Sequence, residues 1–350
     1  MRAVRRTIAM VHPGGFGDVL LAVPAMVRLR TRFPNHQLVL CAEDQIARLL
    51  LACGIIDAWT SVQGRACSEL FAGAGSVADQ VQIWLKDCDL AIGWMQDLDG
   101  KLGETLKAAG AQAVIVRSPF STAIRSTHQR DRFLEVINEP PVDEGGDVLL
   151  PMTEYLYGLG QACLEGVGFA NRQPFAIIHP GSGSAHKCVA PKILAAVVTG
   201  LQLSGAIPVI LEGPADREPV ERLLQLCEDP PIVMKGLDLL TVVGVLAQTQ
   251  LFVGQDSGIT HLAGLLGVRT VAIFGPTDPA RWAPRGAHVT VVQGEACLCP
   301  SWGDVSQCEE KPCLNVSEDH LVALCLTHIK EAAVRPRIES DCLVTDHPVC

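Results

Sequence analysis

The feature that most constrains this 350-residue chain is a unit carried twice: an apolar run, the tripeptide His-Pro-Gly, then a helical pattern. The first copy is "TIAMVHPGGFGDVLLAVPAMVRLRTRF", residues 7–33, and the second is "FAIIHPGSGSAHKCVAPKILAAVVTGLQLS", residues 175–204. An apolar strand feeding a helix through a glycine turn is half of a parallel-sheet unit, and a parallel sheet must be covered by helices on both faces. Two copies therefore imply two sheets. The remaining pattern agrees. "QLVLCA", "CDLAIGW" and "AVIV" read as strands in the first half, with "AEDQIARLLLACG" a helix closed at Gly54. In the second half "AIPVILEG", "QLFVGQ" and "VRTVAIFG" read as strands, and "ADREPVERLLQLCED" and "LDLLTVVGVLAQ" as helices. Residues 138–154, "NEPPVDEGGDVLLPMTE", hold three prolines, two glycines and five acids, the composition of a connection. The expected organisation is an α/β chain of two doubly wound domains, residues 1–150 and 151–333, with an aperiodic tail over 334–350.

Bulk composition narrows the function classes. With 48% hydrophobic and 19% charged residues the chain can bury a core and is not disordered. A net charge of −10 argues against nucleic acid as the main partner, although Arg2, Arg5 and Arg6 form a small basic patch. No run of 18 apolar residues spans a bilayer, and the start "MRAVRRTIAMVHPGG" reads as a first strand, so a cytoplasmic location is expected. Fourteen cysteines are then expected to be reduced, with Cys41, Cys53, Cys163 and Cys227 serving as small core residues. Only Cys297, Cys299, Cys308 and Cys313 cluster, in the segment 297–313. Their C-x-C-x8-C-x4-C spacing leaves open a structural Zn²⁺ or iron ion, reduced thiols, or a redox-dependent disulfide; C-x-C is tighter than the usual C-x2-C knuckle. No catalytic metal is expected.

Three loops carry the chemistry. "HPGGFGDV" has Gly14, Gly15 and Gly17 leaving the strand end open, but it finishes in Asp18, which would repel phosphate. "HPGSGSAHK" has the opposite character: Gly181 and Gly183 expose backbone N–H groups, Ser182 and Ser184 add hydroxyls, and Lys187 adds a cation. It reads as a diphosphate site or as an ordinary glycine turn with a surface lysine. Neither loop carries G-x-G-x-x-G or G-K-[ST], which disfavours a dinucleotide oxidoreductase and a P-loop ATPase. In "VGQDSGITHLAGLLGVRTVAIFGPTDPARW", Asp256, Ser257 and Gly258 open a helix that carries His261. Polar groups there suit phosphate or sugar hydroxyls; the plainer readings are a helix cap for Asp256, as for Asp18, and a core histidine for His261.

In order and spacing, "GDVLLAVPAMVRLRTRFP", "HPGSGSAHK" and "GQDSGITHLAGLLGVRTVAIFGPTDP" resemble three signatures of the bacterial heptosyltransferases, glycosyltransferase family 9, over residues 7 to about 325. The resemblance implies a GT-B fold, two Rossmann-like domains facing a central cleft, with the acceptor on the N-terminal side and the nucleotide sugar on the C-terminal side. It implies inverting, metal-independent transfer of heptose from ADP-heptose to a lipopolysaccharide-core-type acceptor. Asp18 becomes the general base and Lys187 the contact to the donor diphosphate. Asp256, Ser257, Gly258 and His261 contact donor phosphate and sugar, and either Asp216 or Glu218 holds the ribose. A lipid-linked or oligosaccharide acceptor would add peripheral contact with the inner membrane face. One departure stands out: relatives follow the lysine with an arginine-like residue and then Trp-Pro, whereas this chain reads "KCVAP", with Val189 and Ala190 at those places. The tryptophan shapes the nucleotide-side wall. Alternatives are therefore a different nucleotide-sugar donor, a non-lipopolysaccharide acceptor, or a nucleotide-sugar-binding protein without turnover.

Overall fold

A computed structural model describes residues 6–72, 79–120, 127–141, 148–169 and 174–334. Residues Arg2 and Arg5, the centre of the expected connection and the tail beyond 334 lie outside the described residues. The chain divides into two compact units, Met1–Val148 and Leu149–Cys350.

The first unit contains β1 (Thr7–Val11), α1 (Phe16–Arg32), β2 (Gln37–Ala42), α2 (Asp44–Ala52), β3 (Ala58–Ser61) and α3 (Arg65–Ala72). It continues with α4 (Asp79–Lys86), β4 (Cys88–Gly93), α5 (Lys101–Ala108), β5 (Ala113–Val116) and α6 (Gln129–Val136). The strands form one parallel sheet in the order β3-β2-β1-β4-β5. β1 is buried along its whole length, as a central strand covered on both faces must be.

The second unit opens with α7 (Glu154–Gly166), β6 (Phe175–His179), α8 (Pro191–Leu203), β7 (Ile207–Glu212), α9 (Arg217–Leu224), β8 (Ile232–Lys235) and α10 (Leu239–Leu246). It closes with β9 (Leu251–Gln255), α11 (Gly258–Leu265), β10 (Thr270–Phe274), α12 (Pro279–Trp282), β11 (Val289–Gln293), α13 (Trp302–Gln307) and α14 (Glu318–Val334). Its six strands are parallel in the order β11-β10-β9-β6-β7-β8. Each sheet thus reverses direction beside its first strand, between β1 and β4 and between β6 and β9. Such switch points leave a crevice at the carboxyl ends of the strands, where ligands bind.

Local signals fix the helix starts nearest the sites. Glu43 caps α2 by accepting from the Gln45 and Ile46 N–H groups, and Pro191 occupies the first turn of α8, where its missing N–H costs nothing. α7 and α10 cross with their backbones touching: a Cβ on Gly160 would lie 2.0 Å from the carbonyl carbon of Gly244. Among the described residues no helix is long and apolar enough to cross a membrane.

Cys41 of β2 and Cys67 of α3 meet inside the first unit's core, both buried among its apolar side chains. Cys53 is a free, buried thiol, and burial pushes it up to about 12, which makes it chemically inert.

Candidate functional site

The chemistry-bearing residues gather at the two switch points. In the second unit β6 and β9 are neighbours, with His179 in register with Gly254, and the chain leaves the two strands toward opposite faces. The loop after β6 crosses to meet the loop after β9. Ser182 Oγ donates to the Asp256 carbonyl oxygen at 2.5 Å. Lys187, held in a single 3₁₀ turn, places Nζ 2.7 Å from Asp256 Oδ2. The lysine side chain keeps 24% of its surface exposed and the aspartate only 8%, so the cation is the member open to a ligand.

Asp256 is therefore not the cap of α11. Ser257 is: its hydroxyl accepts from the Thr260 N–H at 3.4 Å, while Thr260 Oγ1 donates to the Gln255 carbonyl. This arrangement frees the Asp256 carboxylate for Lys187. His261, one turn along α11, is buried next to the pair. Burial lowers it to about 4, against the opposing pull of Asp256, so it is neutral at physiological pH.

The two acids considered for ribose have different surroundings. Asp216 is buried, 2.9 Å from His179 Nε2, and accepts the Gly213 N–H at 2.9 Å. Burial pushes its carboxyl up, but the hydrogen bond and charge of His179, with the Gly213 amide, outweigh this and hold it below the usual carboxylate range. Asp216 also fills the space over Gly181, where a Cβ would lie 1.7 Å from Oδ1. That close approach, rather than a ligand, is what requires glycine at 181. Nothing crowds Gly183 within 4 Å, and Ser184 accepts the His186 N–H. Glu218 stands in the first turn of α9, largely exposed and 2.5 Å from Arg222. It borders a cavity of about 740 Å³ between the start of α8, the start of α9 and residues 309–319.

The first unit repeats the plan with different chemistry. His12 follows β1, is fully buried, and accepts the Gly14 N–H at 3.2 Å. Its ring stacks on Phe133 at 5.3 Å and lies 5.9 Å from Trp94, and burial lowers it to about 4. Gly14 is wedged between His12 and Asp18: a Cβ there would lie 2.8 Å from the His12 ring and 3.0 Å from Asp18 Cβ. Gly15, with no neighbour against it, precedes α1 as its cap residue, and Gly17 follows in the helix. Asp18 thus sits in the first turn of α1, not at the cap, where the positive end of the helix favours its charge.

Several residues escape a reading of the sequence. His179 belongs to a motif that draws attention to its glycines, yet it links Asp216 to Ser257, whose hydroxyl is 3.5 Å from Nδ1. Gln255, wholly buried, accepts the Val189 N–H at 3.3 Å and ties the lysine loop to β9. Trp302 of α13 stands 5.8 Å from Lys187 Nζ. The four thiols of the cysteine cluster are neighbours of one another: Cys299 interacts with Cys297 and Cys308, and Cys313 with Cys297 and Cys308. Among the described residues no group of three or more His, Cys, Asp or Glu side chains is placed to hold a metal ion.

The family model "Glycosyltransferase family 9 (heptosyltransferase)" matches residues 108–310, more than half of the chain and including the Lys187–Asp256 site. Two sequences of lipopolysaccharide heptosyltransferase 3 from Escherichia coli are similar to it. One is 31% identical over 116 residues, 32% of this chain and 34% of that relative, so the match spans about a third of its length. The other, from strain K12, is 23% identical over 285 residues, 77% of this chain and 82% of the relative. In fold the chain resembles a glycosyl transferase family 9 protein from Veillonella parvula, with TM-score 0.79, 20% identity, and 95% and 99% of the two chains covered. It also resembles E. coli ADP-heptose lps heptosyltransferase II, with TM-score 0.72, 16% identity, and 94% and 100% covered. Two parallel α/β units of GT-B type, with the Lys187–Asp256 pair inside the matched region, lead to one statement: this chain is a glycosyltransferase belonging to family 9, the heptosyltransferase family.

Proposed function

We propose that the protein transfers heptose from ADP-heptose to a lipopolysaccharide-core-type acceptor, with inversion and without a metal. The observation that carries this reading is the partly exposed cation Lys187, paired to Asp256 at 2.7 Å at the switch point of the second sheet. A diphosphate arriving there meets a fixed positive charge, the Ser182–Ser184 loop and the start of α11, all oriented before it binds. Named relatives add support: one structural relative is an ADP-heptose lps heptosyltransferase, and the sequence relatives act on lipopolysaccharide by name.

The step is a single displacement. Asp18 takes the proton of the acceptor hydroxyl as that oxygen forms its bond to the anomeric carbon. The bond from that carbon to the diphosphate oxygen breaks on the opposite side, and ADP leaves with the electron pair. Lys187 and the loop amides stabilise the negative charge building on it. His261, neutral and buried beside Asp256, offers a hydrogen bond without adding charge. Of the two acids, Glu218 takes the ribose, because Asp216 is already committed to His179, Gly213 and the space over Gly181. An acceptor on a lipid would make the contact with the membrane peripheral.

Titration calorimetry of ADP-heptose against ADP, UDP and GDP-mannose tests the reading. Tight binding confined to the adenosine ligands is expected. Preference for another nucleotide would mean that Val189 and Ala190 accompany a changed donor, and silence from all four would leave the fold without the reaction.

A further inference from the structure

The excursion that follows β11 is built as a closed loop. Gly294 N–H donates to the Cys313 carbonyl at 3.0 Å and Glu295 N–H to the Pro312 carbonyl at 3.1 Å, which fastens its two ends together. The thiols of Cys297, Cys299, Cys308 and Cys313 come together within it, and Cys313 is anchored in the second unit's core. Between the cysteines α13 raises Trp302, a residue 49% exposed whose ring centroid lies 5.8 Å from Lys187 Nζ. The far side of the same loop, Glu309–Lys311, borders the cavity of about 740 Å³ that Glu218 and Cys188–Leu194 also line. The loop therefore flanks the Lys187 segment in two places. After Lys187 the segment offers no aromatic ring: Val189 is packed into the core with its N–H on Gln255, and Ala190 has none.

We propose that the cysteine-rich loop is a wall of the nucleotide-sugar site, with Trp302 positioning Lys187 and packing against the bound nucleoside diphosphate. This rests on the donor reading given above. The negative face of an indole attracts an ammonium group and shields one side of it from water, so the lysine keeps its direction when a diphosphate displaces Asp256. The side of the ring left exposed is apolar surface that a ribose or sugar face covers. The aromatic wall thus comes from a part of the chain remote in sequence from the lysine loop.

ADP titrations on wild type, Trp302→Ala, Trp302→Phe and Lys187→Ala test this, read by calorimetry and by tryptophan fluorescence. The chain has five tryptophans, so the phenylalanine variant isolates one of them. ADP should quench wild-type fluorescence, and the quench should disappear in Trp302→Phe while affinity stays within about twofold. Trp302→Ala should weaken ADP roughly tenfold with an unchanged melting temperature. Wild-type affinity in Trp302→Ala, or a quench that survives in Trp302→Phe, overturns the proposal; weakened binding in Lys187→Ala would then leave the donor reading standing. Should Lys187→Ala bind ADP like wild type, or should wild type bind none, the donor reading fails and this inference falls with it.

Discussion

At the scale of single residues, the two His-Pro-Gly loops show how one backbone plan carries opposite charges. In both, a buried histidine stands at the strand's end and a glycine lies against an aspartate, Gly14 against Asp18 and Gly181 against Asp216. The aspartates then diverge. Asp216 is spent on His179 and the loop itself, whereas Asp18 heads α1. On the proposed mechanism Asp18→Asn should lower transfer at least a thousandfold while calorimetry finds ADP-heptose binding within threefold of wild type. Lost donor binding would move Asp18 to the donor side. The local spacing of Gly, Ser, Lys and Asp made the lysine loop and the Asp256 turn legible in the sequence. The pairs that complete the site were not, because they join distant positions: His179 and Asp216 are 37 residues apart and meet only once β6 and β7 lie side by side.

At the scale of elements, the central strands were readable because a strand buried on both faces is a plain apolar run, as in "TIAMV" and "LFVGQ". Of the edge strands only β5, "AVIV", was readable. β3, β8 and β11 are only partly buried, and their short mixed sequences carry no comparable signal. α6 escaped for another reason: Gln129, Arg130 and Asp131 are buried in it, so its inner face is polar and periodicity does not reveal it. The α7–α10 crossing makes a further prediction. Gly160→Ala would put a methyl group 2.0 Å from the Gly244 backbone, which no side-chain rotation relieves, so it should cost about 1–3 kcal/mol and lower the melting temperature by several degrees. Gly158→Ala, on the same helix with nothing within 4 Å, is the control and should be neutral or mildly stabilising. Equal melting temperatures for the two variants would contradict the close crossing.

For the whole molecule, buried histidines in both units contribute to the response to acid; His328 is lowered by burial, and two others more strongly. His12 and His261 are both lowered to about 4 by burial, from the ordinary 6.5. Between those values the unfolded chain binds protons that the folded chain refuses, so stability must fall as pH drops from about 6.5 to 4. The loss at pH 5 is on the order of 2 kcal/mol for each histidine. Asp216, held below the usual carboxylate range, adds its loss only at still lower pH. Denaturant unfolding at pH 7.5 and pH 5 should show reduced stability at the lower pH, and His12→Gln should flatten the slope; pH-independent stability would mean that these rings are solvated.

The resting partnership of Lys187 with Asp256 has a consequence for the end of the catalytic cycle. A diphosphate that takes the lysine strands a nearly buried carboxylate, and a stranded buried carboxylate is costly. While the donor is intact, hydroxyl groups of its sugar can hydrogen-bond that carboxylate. On the proposed mechanism, once the sugar has moved to the acceptor its hydroxyls are lost from the site, and Asp256 competes to recapture its cation. By that mechanism the pair would then act as a return spring: it tolerates the loaded nucleotide, favours release of the spent one, and restores the resting lysine–aspartate contact.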